Sequence, residues 1–142
     1  MPATMTPQEV RDFLDSKPGW IILCTIGREG YPHSVPLGYF RLGDDVYLGC
    51  RTGTQKVKNI ERNPQVSLVL ETGSTRRDIK GVMIQGHATV YTDAENVLRL
   101  RREAEHLRGV PEEKRSQEAS AGSAYIKVEP RRVISWDYSR EE

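Results

Sequence analysis

The sequence predicts a mainly β fold with flanking α-helices, and within that class a small closed or partly closed antiparallel barrel. Turn residues separate about seven short strands at close spacing, which is typical of small barrels. The regular alternation of strands and helices that indicates a doubly wound sheet does not occur. The chain has 142 residues, so we expect residues 1–142 to form a single domain with one core.

Capping signals define the helices. Thr6-Pro7-Gln8-Glu9 and Thr92-Asp93-Ala94-Glu95 are capping boxes, and each opens a helix with an apolar stripe. Between them, Thr54 is placed to cap a short helix that ends before Asn63-Pro64. A glycine stop followed by a proline restart predicts a last short helix over about residues 111–120.

Alternating apolar residues and turn residues define the strands. The first strand is a β-branched run that we expect to be buried on both faces, and the second contains Pro32 and Pro36, which indicates an edge or a bulge. The fifth strand has the clearest alternation, with one apolar face. Pro130 separates the last two strands. In order, the predicted strands cover residues 20–26, 32–40, 46–51, 66–71, 82–91, 124–128 and 133–138.

Composition excludes several classes of protein. Apolar residues make up 37% and charged residues 29% of the chain, as in soluble globular proteins. The longest apolar run, residues 20–23, is too short to span a bilayer, so we expect a cytoplasmic protein with no membrane partner. A net charge of +1 is too small for general nucleic-acid binding. Cys24 and Cys50 lack neighbouring metal-binding residues, which predicts buried thiols and no metal site.

One segment carries the strongest indication of chemistry, because it runs from a basic loop into a helix N-terminus. It reads Arg51-Thr52-Gly53-Thr54-Gln55-Lys56-Val57-Lys58-Asn59. Backbone N–H groups and the positive end of the helix dipole stabilise an anion there, Thr54 can donate a hydrogen bond, and Lys56 and Arg51 supply charge. Phosphate is therefore the favoured ligand. A capped surface helix with solvated lysines is an equal alternative, since the segment is neither a Walker loop nor GxGxxG.

These residues resemble the flavin-binding split barrels of the pyridoxamine 5'-phosphate oxidase-like family. The resemblance covers nearly the whole chain and rests on the order and spacing of residues 25–36, 46–50, 56–68 and 86–88. It implies a Greek-key-like antiparallel split barrel of six to seven strands. It also implies a homodimer that holds FMN or the deazaflavin coenzyme F420 by its phosphate, with the ring in a cleft between protomers.

The resemblance assigns residues to the cofactor. Lys56 matches the family's phosphate-binding lysine, and Thr54 matches the serine or threonine that precedes it. Gln55 stands where the vitamin B6 oxidases have an arginine, and their basic C-terminal substrate segment is missing, which argues against vitamin B6 oxidation itself. The other residues implied at the cofactor are Ser34, Val35, Pro36, Gly49, Cys50, Arg51, Lys58, Lys80 and Trp136.

The pattern around Lys56 resembles the F420-using members more closely than the FMN-only members. It implies an F420- or FMN-dependent oxidoreductase that transfers hydride to or from a small unsaturated substrate. His33 is a candidate proton donor, and an exposed histidine without a role is the alternative. Two further classes stay open: a non-catalytic carrier of flavin, haem or tetrapyrrole, and a nucleic-acid-binding barrel. Aromatic residues do not interleave with the basic ones, which argues against the nucleic-acid binder.

Overall fold

The computed structural model describes residues 2–141, which form one antiparallel sheet of eight strands with three α-helices. The sheet order is β3-β2-β6-β7-β8-β5-β4, and β1 pairs with β8. No helix among these residues is long and apolar enough to cross a membrane. The elements are β1 (Pro2–Ala3), α1 (Pro7–Ser16), β2 (Ile21–Ile26), β3 (Pro32–Leu37), β4 (Tyr39–Leu42), β5 (Asp45–Arg51), α2 (Gln55–Arg62), β6 (Gln65–Thr72), β7 (Lys80–Tyr91), α3 (Ala94–Leu107), a 3-10 turn (Glu112–Lys114) and β8 (Ser123–Glu141).

The sheet curls around its core without closing, because the end strands β3 and β4 do not pair within the part of the chain described. The predicted mainly β split barrel is thus confirmed. Ile21, Leu48 and Ile126 are 0% exposed in this core, since alternate residues of each strand point inward. Leu14 of α1 and Ile60 of α2 pack against them and cover the open parts of the barrel.

A second, smaller core forms on the outer face of β4 and β5. Leu100 and Ala104 of α3 pack there against Phe40 and Tyr47, whose rings stack with centroids 5.2 Å apart. The apolar stripe predicted for this helix therefore covers the outside of the barrel rather than its interior.

On another part of the outer face, none of the three helices described within residues 2–141 contributes to a buried apolar cluster. Residues that lie directly opposite one another on five successive strands form a row of apolar side chains, none of them fully buried. We call this set the apolar row; it consists of Pro36, Ile22, Val69, Met83 and Ile134. Trp136 continues the same face beyond Ile134 and lies over Gly81.

Two strand predictions need correction. The strand predicted over residues 32–40 breaks at Gly38 into β3 and β4. The last two predicted strands form one strand, β8, which pairs with β7 from Tyr125 to Asp137. Pro130 fits inside it because the register shifts at that point, leaving Arg131 as the extra residue of a bulge, and a bulge tolerates the missing N–H of proline.

The helix predicted over about residues 111–120 is only the 3-10 turn Glu112–Lys114. Side chains of α3 form hydrogen bonds with backbone groups of this segment that would have been paired within a helix. Glu105 accepts a hydrogen bond from the N–H of Ser116 at 2.9 Å, and Arg102 donates to the carbonyl of Ser116 at 2.8 Å. Tertiary hydrogen bonds therefore replace the local ones here.

Candidate functional site

Helix α2 closes one end of the barrel through a buried polar network. Asn59 is 0% exposed, and its Nδ2 donates to Thr25 Oγ1 at 3.0 Å. Its Oδ1 accepts from Gln55 Nε2 at 2.8 Å and from Arg62 at 3.2 Å. Arg62 also donates to the carbonyl of Ile26 at 2.9 Å. These bonds fix α2, and with it the loop that precedes it, against β2.

The N-terminus of α2 is suited to an anion. Thr54 occupies the N-cap position, but its hydroxyl donates to the carbonyl of Arg51 at 2.9 Å and caps no N–H. The N–H groups of Gln55, Lys56 and Val57 have no acceptor within residues 2–141. The first turns of α1 and α3 contain an acidic residue and a side-chain cap, whereas that of α2 has neither. An anion would satisfy these donors and the helix dipole.

Three cations surround this N-terminus. Lys56, Lys58 and Arg51 form no ion pair with any carboxylate in the described part of the chain. Arg51 Nη2 reaches the carbonyl of Ala121 at 3.4 Å, which holds it over the turn before β8. Positive charge beside a positive helix end is unfavourable unless an anion binds. The local charge that the sequence predicted is therefore present and uncompensated.

Cys50 lies beside this charge, at the end of β5. Burial raises the pKa of its thiol, and the positive charge of Lys56 opposes that increase. The side chain of Cys50 packs against the core, whereas a Cβ atom at Gly49 would point outward and lie 3.4 Å from the ring of Tyr125. The two neighbouring residues predicted to contact the cofactor thus lie on opposite faces of the strand.

A cleft of about 600 Å³ separates the β2–β3 turn from α2. His33, Gln55 and Lys58 line it, and Tyr31 stands at its edge with 78% of its surface exposed. His33 lies opposite Thr25 in the β2–β3 ladder. Its Nδ1 is buried and has no hydrogen-bond partner within residues 2–141. A buried ring nitrogen without a partner is a candidate for contact with a ligand or a transferred proton.

The residues of β3 divide between two faces. Val35 lies opposite Leu23 and faces inward with His33. Ser34 faces outward, where its hydroxyl lies 3.0 Å from Cys24 Sγ, and Pro36 belongs to the apolar row. Both cysteines are half-buried rather than buried.

Within one chain, Lys80 and Trp136 lie far from α2. Lys80 pairs with Thr72, at the end of β6 remote from the α2–β6 junction, and its Nζ lies 5.5 Å from the centroid of the Phe13 ring. Trp136 packs over Gly81 beside it. Within one protomer this placement gives no support to their predicted contact with the phosphate or the ring.

Sequence reasoning gave no role to Thr25, Asn59 or Arg62, which hold α2 in place. One signal was available, because asparagine is a poor helix former and its place in the second turn of a helix calls for a tertiary partner. The identity of that partner, Thr25 on β2, depends on the fold.

The chain is similar to known proteins over nearly its whole length. The family described as pyridoxamine 5'-phosphate oxidase matches residues 6–137. A conserved hypothetical protein of Mycobacterium tuberculosis has a TM-score of 0.79 and 26% identity, covering 94% of this chain and 86% of that one. An F420 reductase has a TM-score of 0.64 and 18% identity, covering 86% and 94%. A haem storage protein of Vibrio cholerae has a TM-score of 0.66 and 15% identity, covering 94% and 98%. No curated protein matches the chain.

Proposed function

The chain belongs to the pyridoxamine 5'-phosphate oxidase family, and we propose that it is an oxidoreductase that binds F420 or FMN by the phosphate. The observation that carries the proposal is the N-terminus of α2: within residues 2–141 its first N–H groups have no acceptor, its first turn has no acidic residue, and Arg51, Lys56 and Lys58 form no ion pair. The fold it shares with an F420 reductase supports the class of cofactor. A small molecule, rather than a nucleic acid or a membrane, fits a site that is basic only locally.

The proposal assigns a role to four side chains near α2. Lys56 and the free N–H groups bind the phosphate, while Arg51 and Lys58 bind the acidic tail that distinguishes F420 from FMN. The tricyclic ring supplies the hydride chemistry when the cofactor is bound. His33 holds or moves a proton at Nδ1, because that atom is buried and has no other partner among the described residues.

We also propose a homodimer, with the site completed by the second protomer. The apolar row supports this, since an uncovered apolar face of a sheet is typical of an interface. Trp136 continues the row on β8, whereas the side chain of Lys80 lies on the opposite face of β7, over the Phe13 ring. The predicted contact of Trp136 with the cofactor would then be made across the interface, which accounts for its distance from α2 within one chain.

The first experiment is a titration of the apoprotein with FMN and, separately, with F420, followed by ligand fluorescence. We expect Lys56→Ala to weaken binding by about 1.5 to 3 kcal/mol, since it removes one charge-assisted contact with the phosphate. Lys114→Ala is the control, because it removes the same charge from the exposed 3-10 turn. Equal dissociation constants for the two variants would refute the phosphate assignment.

A second candidate is a non-catalytic carrier of flavin or haem. The unpartnered Nδ1 of His33 favours it, because a free imidazole nitrogen can also bind haem iron, and the chain shares its fold with a haem storage protein. Turnover of quinones and conjugated enones by the cofactor-loaded protein separates the two functions. A bound cofactor that no reductant or substrate turns over would favour the carrier.

A further inference from the structure

We infer that a second cleft, on the outer face of β4 and β5, binds a planar aromatic carboxylate. The cleft has a volume of about 630 Å³ and lies between the C-terminal ends of α1 and α3. Small-molecule sites have volumes of roughly 300 to 1,000 Å³, so it can hold one compact ligand. This inference goes beyond the proposed function and does not depend on it.

The walls of the cleft suit a flat ring. Trp20 stands at its rim with 70% of its surface exposed, and Tyr125 lies at its floor. Gly38 faces Trp20 and Gly49 faces Tyr125, so that a Cβ atom at these glycines would lie 3.7 and 3.4 Å from the two rings. Side chains at these two glycines would fill the space beside the rings, so the glycines keep the cleft open there. Aromatic rings that line a cleft can bind planar ligands by stacking.

The charge of the cleft suits an anion. Lys17 and Arg108 both line it, and no acidic residue among those described does so. Arg108 forms no ion pair within residues 2–141, and the nearby Asp15 is paired with Arg41 at 2.6 Å. Burial lowers the pKa of Lys17, and the positive charge of Arg108 lowers it further, whereas Asp15 opposes the shift. Two neighbouring like charges that form no ion pair among the described residues favour the binding of a carboxylate.

Lys17 is also held in position. It ends α1 in a left-handed conformation with φ of 47°. Its Nζ donates to the carbonyl of Tyr39 and lies 5.1 Å from the centroid of that ring. A cation fixed in this way beside the cleft loses little conformational entropy when it binds a ligand.

The cleft is separate from the proposed cofactor phosphate site. Gly49 is the one predicted cofactor residue that lines it, and the neighbouring Cys50 and Lys56 do not. Binding of the carboxylate therefore requires neither α2 nor the phosphate, and it can be measured on the apoprotein.

The test uses apoprotein labelled with ¹⁵N and two probes of the same shape, naphthalene-2-carboxylate and naphthalene-2-carboxamide. We expect the carboxylate to shift the indole N–H signal of Trp20 in a saturable way and to leave that of Trp136 unmoved. Arg108→Gln should weaken carboxylate binding about tenfold, because it removes a charge-assisted contact, and should leave carboxamide binding unchanged. Arg99→Gln removes the same charge from another face of α3 and should have no effect.

Two further variants distinguish binding in this cleft from binding at the cofactor site. Lys17→Gln should act like Arg108→Gln, and Lys56→Ala should bind naphthalene-2-carboxylate normally even where it loses the cofactor. The inference is overturned if Trp20 does not respond, if the carboxamide binds as tightly as the carboxylate, or if Lys56→Ala abolishes binding. That last result would assign the aromatic carboxylate to the cofactor site instead.

Discussion

Asn59 decides whether α2 is held in the position that the phosphate site needs. Its side chain is fully buried and bonded to Thr25, Gln55 and Arg62. We expect Asn59→Ala to lower the free energy of unfolding by about 2 to 3 kcal/mol, because it leaves the buried hydroxyl of Thr25 without its donor. Urea denaturation measures the loss. A double-mutant cycle with Thr25→Val isolates the bond, and additive effects would show that the two side chains are not coupled.

The pKa of the Cys50 thiol is a measure of the charge of Lys56 that can be followed in the absence of cofactor. Burial raises its pKa, and the charge of Lys56 opposes the increase by stabilising the thiolate. Lys56→Met keeps the length of the side chain and removes the charge, so the pKa of Cys50 should rise further. Alkylation by iodoacetamide should then be several-fold slower near pH 8 and reach its plateau at higher pH. Cys24 is the internal control, and an unchanged pH profile for Cys50 would place Lys56 elsewhere.

At the scale of elements, the long strand β8 depends on a close approach to β7. A Cβ atom at Gly86 would lie 2.5 Å from the carbonyl oxygen of Glu129, beside the bulge at Arg131. Gly86→Ala should therefore lower the free energy of unfolding by about 1 to 3 kcal/mol. Gly19→Ala is the matched control, since a Cβ atom there meets nothing within 4 Å. Equal denaturation midpoints for the two variants would mean that the strands separate without cost.

Local sequence signals predicted most helices and strands, but not where strands continue or break, nor which distant residues make contact. The capping boxes and the alternation of apolar residues are properties of neighbouring residues, and α1 and β7 follow them. Helix α3 forms as predicted, but its N-cap is Asp93 instead of Thr92, because the carboxylate of Asp93 accepts a hydrogen bond from the N–H of Asn96. Pro130 is also a local signal, yet it marks a bulge and not a break, because β7 pairs with both sides of it. In the candidate site, the basic segment before α2 was readable from residue types alone. The contact between Thr25 and Asn59 was not, since it joins residues 34 positions apart.

At the scale of the whole molecule, the apolar row is the surface on which the proposed homodimer depends. It crosses five strands, and a second copy of the chain would bury it against an identical face, as a two-fold dimer interface does. Met83 lies at its centre, between Val69 and Ile134. Met83→Lys should therefore give a monomer, because burying an unpaired ammonium in an interface costs several kcal/mol. Sedimentation velocity distinguishes the two states.

The same variant tests whether the site needs both protomers. If Trp136 completes the cofactor site across the interface, the Met83→Lys monomer should bind F420 or FMN at least tenfold more weakly, although α2 is untouched. Gln117→Lys is the control, since it adds the same charge on an exposed segment away from the row. A monomer that keeps the full affinity would confine the site to one chain. A persistent dimer would instead show that the protomers meet through another surface.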